Sequence, residues 1–435
     1  MKTFPTIVLG IFLTLALIGM VTFATFSATN SQDVGAVTIW GSVPVNLVEE
    51  LLTNVRGRRD DFNKVKYIEV RADTLDAQLV EAIAAGQGPD LVVFPASSLV
   101  KDSDKLMPIP FDSYPRRDFL DTFIDGASVY ISDEGVLGIP FVIDPMVMYY
   151  NKALFADGAV ARSPRTWDEV IAVVPSLTKK TSSGTVTQAA VALGEWDNVR
   201  YAKDILVTMM TQLGTPVIGV SDVVSGATRS LGYRSLLLQT IDGISPADSA
   251  VRLYTGFSDP AKPAYSWNRS QKESRTAFVA GELAIYLGYA SELTELREIN
   301  PNLNYDVAPI PMMRGGGSQG HARILALSVP RGSHNPNGAI LAAYELSGAT
   351  AQAELVSLTH MPSPRRDIDP SSTENSYAPV FRAAALKSFA FLDPDPASTD
   401  PLFGRMVENI ASGKYRVSES LRALDEELTR VLKMK

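Results

Sequence analysis

The sequence has no cysteine, and its 435 residues include only three histidines. The first absence removes disulfides, thiolate nucleophiles, iron–sulfur clusters and cysteine zinc sites together. The histidines, at 321, 334 and 360, fall in loop-like stretches without an HExxH pattern or another metal-ligand spacing. Basic charge is also short: 40 Lys and Arg stand against 48 Asp and Glu, a formal net charge of -8, so the electrostatic footprint of a nucleic-acid binder is missing. No GxSxG nucleophile elbow occurs, and the acidic pair Asp60 and Asp61 reads as surface. The run RGGGSQG at 314–320 lacks the closing Lys-Ser/Thr and the strand-to-helix setting of a phosphate loop, so it reads as a turn. These gaps point away from an enzyme, from a metal or cofactor, and from a nucleic-acid partner.

What the chain does have is one long apolar run. Residues 4–26 carry no charge, with Lys2 before them and Asp33 as the next charged residue. Such a stretch holds the ~20 apolar residues that a membrane-crossing helix needs. Two readings stay open: an uncleaved signal anchor over 1–32, or a signal peptide cut after Ala24. Both export the body to the outer face of the cytoplasmic membrane, anchored in one case and released in the other, since Lys2 favours a cytoplasmic N-terminus.

The remaining residues exceed what one core usually organises, so two domains are expected. A composition of 46% hydrophobic and 20% charged residues fits a globular body. From residue 36 short apolar strands alternate with helices: VTIW at 37–40, a helix over 45–55, VKYIEV at 65–70, a helix with Leu75, Leu79, Ala82 and Ile83 on one face, then DLVVF at 90–94. This is the opening of a parallel α/β sheet, whose ligands sit beyond the C-terminal strand ends. Trp40 and residues 94–97 lie at such ends. Further on, 278–293 reads as a helix end, a strand and a helix start, and 324–330 as a strand.

Seven fragments then stand in a familiar order: VTIWGS, LVEAIAAGQGPDLVVF, GIPFVIDPMVMYYNKALF with TWDEV, FVAGELAIYLGY, YDVAPIP, ILALSVPRGSHN and HMPSPRRDI. In them the chain resembles the family 1 extracellular solute-binding proteins, the maltose-binding-protein-like substrate receptors of ABC importers. The resemblance implies a two-lobed periplasmic-binding-protein-like fold of type II, with an N-terminal lobe over 36–141 plus 311–361, a C-terminal lobe over 144–308 plus 365–435, and a ligand cleft between them. It implies a monomer that binds a small polar solute, a carbohydrate first among the choices, and delivers it to importer permease subunits. A peptide ligand, or a sensory or adhesion module of the same fold, remain alternatives. The acylated cysteine that many members of that family carry is absent, so any anchor must be the N-terminal helix.

A sugar site needs an apolar plate for the CH face of the ring and polar groups for its hydroxyls. By the resemblance, Asp144 stands at an acidic sugar-binding position, and Trp196 and Tyr289 at or near aromatic platforms. From the residues themselves, Trp40 ends the first strand and Trp267 sits in a Pro-flanked loop as a rim candidate. Arg323 and Arg365 are candidate ligand forks. If both entered the cleft, an acidic sugar would fit. Trp167, at a helix start, and the neighbours Tyr149 and Tyr150, within one strand, read as packing residues.

Overall fold

The computed structural model describes residues 33–433 apart from 226–227, 316, 318 and 370–374. The expected N-terminal membrane helix and part of the glycine-rich turn lie outside the described residues. Among the described residues no helix is long and apolar enough to cross a membrane.

Strands β1 (Val37–Gly41), β2 (Val65–Glu69) and β3 (Leu91–Pro95) form the parallel opening expected, with β1 between the other two. The helix Val45–Arg56 connects β1 to β2 and buries Val48, Leu51, Leu52 and Val55, a three-four spacing that makes one apolar stripe. After the short β4 (Leu106–Met107) comes β5 (Ile139–Asn151), which is 13 residues long. Of its interior prolines, Pro140 lies beside the register shift in its pairing with β12, where a missing N–H does no harm to the ladder.

The chain then forms β6 (Lys179–Lys180), β7 (Val186–Val191), the hairpin β8 (Ile218–Ser225) and β9 (Thr228–Ser235), and β10 (Leu283–Tyr289). β11 (Tyr305–Pro309), β12 (Gly320–Pro330) and β13 (Ser388–Phe389) complete the set. The main sheet runs β2-β1-β3-β12-β5-β10-β7-β6. β5 is shared along its length: β12 pairs along 139–145 and β11 along 147–151.

Two separate hydrophobic cores flank that shared strand. Phe141 and Ile143 of β5 pack with Ile39, Val93 and Leu327 in one core. Met148 and Tyr149, a few residues on, pack with Val191, Ile285 and Phe403 in the other. The architecture is therefore a mixed α/β body of two lobes, with β5 passing from one to the other.

Candidate functional site

Between the lobes lies a cleft of about 1460 Å³. One wall is made by the chain leaving β1 and β3, through Ser42, Val43, Ala96 and Ser97. These are C-terminal strand ends, where a parallel sheet leaves backbone groups open to a ligand. The other wall is the loop 196–201, the start of the helix Ala202–Gln212, and Phe391 and Asp393 after β13.

The loop carrying Trp196 is held from several sides. Gly194 adopts φ +97, and a Cβ there would lie 2.6 Å from the Ser258 nitrogen, so no other residue fits the turn. The Tyr254 hydroxyl donates to the Glu195 carbonyl at 2.7 Å, and the Asn198 amide donates to the carbonyls of Asn268 and Gln271. Trp196 itself is half-buried and lines the cleft. Its indole rests on Gly404 of the helix Pro396–Ala411, where a Cβ would meet the indole Nε1 at 2.8 Å. The result is a fixed aromatic plate with one face supported by backbone.

Opposite charges meet where β5 and β12 cross. Arg323 and Asp144 are register partners. Asp144 accepts from the Ser291 N–H at 3.0 Å and the Ser291 hydroxyl at 2.6 Å. Burial pushes its carboxyl up to about 6, against the pull of the Ser291 bonds and the Arg323 charge. The Arg323 guanidinium lies 3.8 Å from the centre of the Tyr289 ring and 5.1 Å from that of Tyr201, with Asp204 at 4.0 Å. The stacking holds the cation in place while about half of the side chain stays exposed.

Of the expected site residues, Asp144, Trp196 and Arg323 come together in the cleft lining, and four do not. Trp267 is 0% exposed, with its indole N–H on the Asn198 Oδ1 at 2.9 Å, so it braces the Trp196 loop instead of forming a rim. Tyr289 is also 0% exposed; it lies beneath Arg323, and its hydroxyl donates to Asp204 at 2.6 Å. Arg365 spends its fork internally, on both oxygens of Asp367 and on the Ser347 carbonyl. Trp40 packs against the core of its own lobe, outside the lining. Trp167 is buried and donates to Gln212, and Tyr149 is buried while Tyr150 bonds Asp306.

Sequence reasoning missed Tyr201, His321, Lys203 and the aspartates around it. His321 was expected in a loop, whereas β12 begins at Gly320, and alternation then puts His321, Arg323 and Leu325 on the face opposite the core residues Ala322 and Ile324, with all of 321–325 reaching the cleft lining. That i, i+2 pattern was the available signal. Lys203 bonds Asp393 at 2.5 Å, Thr399 at 3.1 Å and also Asp400, joining distant segments that no local pattern relates. Among the described residues no group of three or more His, Cys, Asp or Glu side chains is arranged to hold a metal ion.

Residues 57–381 match the family model of the bacterial extracellular solute-binding proteins. A candidate binding protein of Brucella abortus (strain 2308) is 24% identical over 242 residues, covering 55% of this chain and 53% of that one. The chain thus spans about half the length of the curated relatives of that kind that it matches. Among solved structures, a cyclo/maltodextrin-binding protein complexed with maltotetraose superposes with a TM-score of 0.70 at 18% identity, covering 91% of this chain and 96% of that one. The GacH receptor of Streptomyces glaucescens GLA.O, solved unliganded and with acarbose, gives 0.67 at 17% identity, covering 92% and 98%. At these identities the structures bear on the fold.

Proposed function

We propose, since the chain belongs to the bacterial extracellular solute-binding protein family, that its interlobe cleft receives a neutral carbohydrate outside the cytoplasmic membrane and that the closed form delivers it to an ABC importer. The observation that carries this reading is the fixed plate of Trp196 facing a cleft whose polar groups come from both lobes. An indole can lie against the CH face of a sugar ring while Asp144 and Arg323 accept from and donate to its hydroxyls. The acarbose held by the GacH receptor and the maltotetraose held by the cyclo/maltodextrin-binding protein support the same ligand class.

The charge of the lining selects among sugars. Eight aspartates line the cleft against four lysines and arginines, and Arg365 stays outside it. An acidic sugar would meet net repulsion, so a neutral saccharide fits better. Residues 36–141 plus 311–361 and 144–308 plus 365–435 serve as the two bodies, with the hinge at β5, at the β11–β12 passage and at 361–364. A ligand that touches both bodies only when they are closed shifts the equilibrium by its differential affinity.

The direct test is thermal unfolding of residues 33–435 against neutral and acidic mono- and oligosaccharides, peptides and amino acids. A saccharide at 100 times its Kd adds about 2.7 kcal/mol to the stability of the folded state. Stabilisation by neutral saccharides is the expected result; stabilisation only by peptides, or by nothing in the panel, refutes the proposal.

Binding is also expected to depend on pH through Asp144. Its carboxyl, raised to about 6, is ionised at pH 7.5 and mostly protonated at pH 5. If the ionised form is the hydroxyl acceptor, affinity falls as pH drops, by about tenfold one unit below the pKa. Calorimetric titrations at the two pH values should show this fall in the wild type and its loss in Asp144→Asn. An equal fall in the variant would assign the effect to another group.

A further inference from the structure

His321 lies at the start of β12, the strand that pairs with β5 where the chain passes between lobes. It is 7% exposed, yet it belongs to the cleft lining. Its Nδ1 lies 2.7 Å from the Tyr289 hydroxyl, which lies 2.6 Å from the Asp204 Oδ2. Its Nε2 has no hydrogen-bond partner among the described residues and is not among the sealed, unpaired polar atoms. The imidazole is thus held from behind at one nitrogen, while the other stays reachable.

We propose that Asp204, Tyr289 and His321 form a hydrogen-bonded relay that fixes the imidazole as the Nδ1–H tautomer and turns Nε2 into an acceptor for a sugar hydroxyl. Tyr289 has a single hydroxyl proton. Asp204 faces the Arg323 cation at 4.0 Å and, as an ionised carboxylate, can only accept, so the Tyr289 proton goes to it. The phenol oxygen then meets Nδ1 with a lone pair, which requires a proton on Nδ1. A neutral imidazole carries just one, so Nε2 is left bare.

The charges facing His321 agree with a neutral ring. Burial first, then Arg323 and Lys203, push its pKa below the ordinary histidine value, against the opposing pull of Asp204. Burial raises the Asp204 pKa, but the Arg323 and Lys203 charges and the Tyr289 hydrogen bond, joined by His321 once its ring is protonated, outweigh it and hold the carboxyl below its usual range. Tyr289 and Asp204 are positioning residues in this scheme; only His321 would touch the ligand. The contact half of the proposal rests on the carbohydrate reading above, and the relay half does not.

The two halves are therefore read separately, in the full chain. Nitrogen-15 NMR of histidine-labelled protein near pH 7.5, without ligand, is expected to show His321 neutral, with Nδ1 protonated and Nε2 bare. In Tyr289→Phe that tautomer should lose its dominance. A wild-type ring protonated at Nε2, or charged at both nitrogens, overturns the relay. For the contact, maltotetraose is the probe: its addition should move the Nε2 resonance. His321→Asn keeps a group near Nδ1 but cannot reach the Nε2 position, and should raise Kd about tenfold or more. His321→Gln, which can place its amide oxygen there, should recover part of the loss. Equal Kd in His321→Asn and wild type refutes the contact with the relay intact. If the wild type binds no maltotetraose, the contact proposal fails for this sugar while the tautomer result stands.

Discussion

Replacing Trp196 with alanine should raise the Kd of the bound saccharide by a factor of roughly 10–100 and leave the unfolding of the free protein nearly unchanged, a loss of about 1.4–2.7 kcal/mol in binding. The two halves of this expectation come from different contacts. Binding suffers because the indole is the one tryptophan in the cleft lining, and its free face is where a sugar ring would lose water from its CH groups. Folding is spared because Trp196 is only half-buried, and the loop beneath it is held by Gly194, Asn198 and the Tyr254 hydroxyl without the indole's help. Gly404→Ala serves as the companion variant. Its new Cβ would come within 2.8 Å of the indole Nε1, so the plate must tilt, and affinity should fall while Trp196 is still present. Calorimetric titration and a thermal melt measure both parts. Unchanged affinity in Trp196→Ala would place the ligand elsewhere in the cleft, and a collapse of the free protein would mean that the plate is structural.

The contrast between Trp196 and Trp267 shows where sequence reading runs out. Both are tryptophans in loops of the same region, and local pattern gives no means of telling plate from brace. What separates them is long-range: the Trp267 N–H finds Asn198, 69 positions away, and the ring closes over completely. The strands and helices, in contrast, were legible because their signals are local. Leu75 and Leu79 at helical spacing and the apolar run of β3 each fixed an element within a few residues. Tyr289 illustrates the intermediate case. Its place in the sequence suggested an aromatic platform, and its ring is indeed a platform, but for the Arg323 guanidinium at 3.8 Å, a cation supplied by another strand. His321 was hidden by a boundary error of a few residues, since moving the start of β12 back to Gly320 turns a loop histidine into a cleft residue.

The largest effect on stability is expected at Lys203, a residue with no local signal. Lys203→Met should destabilise the fold by about 3–5 kcal/mol, as removal of one partner from a buried ion pair does. The Lys203 side chain is 11% exposed and that of Asp393 is 3% exposed, so the carboxylate left behind cannot turn to water. Its remaining donors, the Thr399 hydroxyl and the Asp395 N–H, are neutral and do not replace the lost charge. The deficit should also depend on pH. Burial already raises the Asp393 pKa against the pull of Lys203, and losing the lysine removes that pull. Folded Lys203→Met then binds a proton more readily than its unfolded chain, so its stability falls as pH rises through the folded pKa, and the gap to wild type should be wider at pH 8 than at pH 5. Denaturant melts at the two pH values measure that difference. Adding Asp393→Leu to Lys203→Met should recover much of the loss, because two apolar side chains leave no stranded charge. A gap that stays constant across pH, or a double variant no better than the single one, would show that Lys203 acts through its methylene packing and not through its charge.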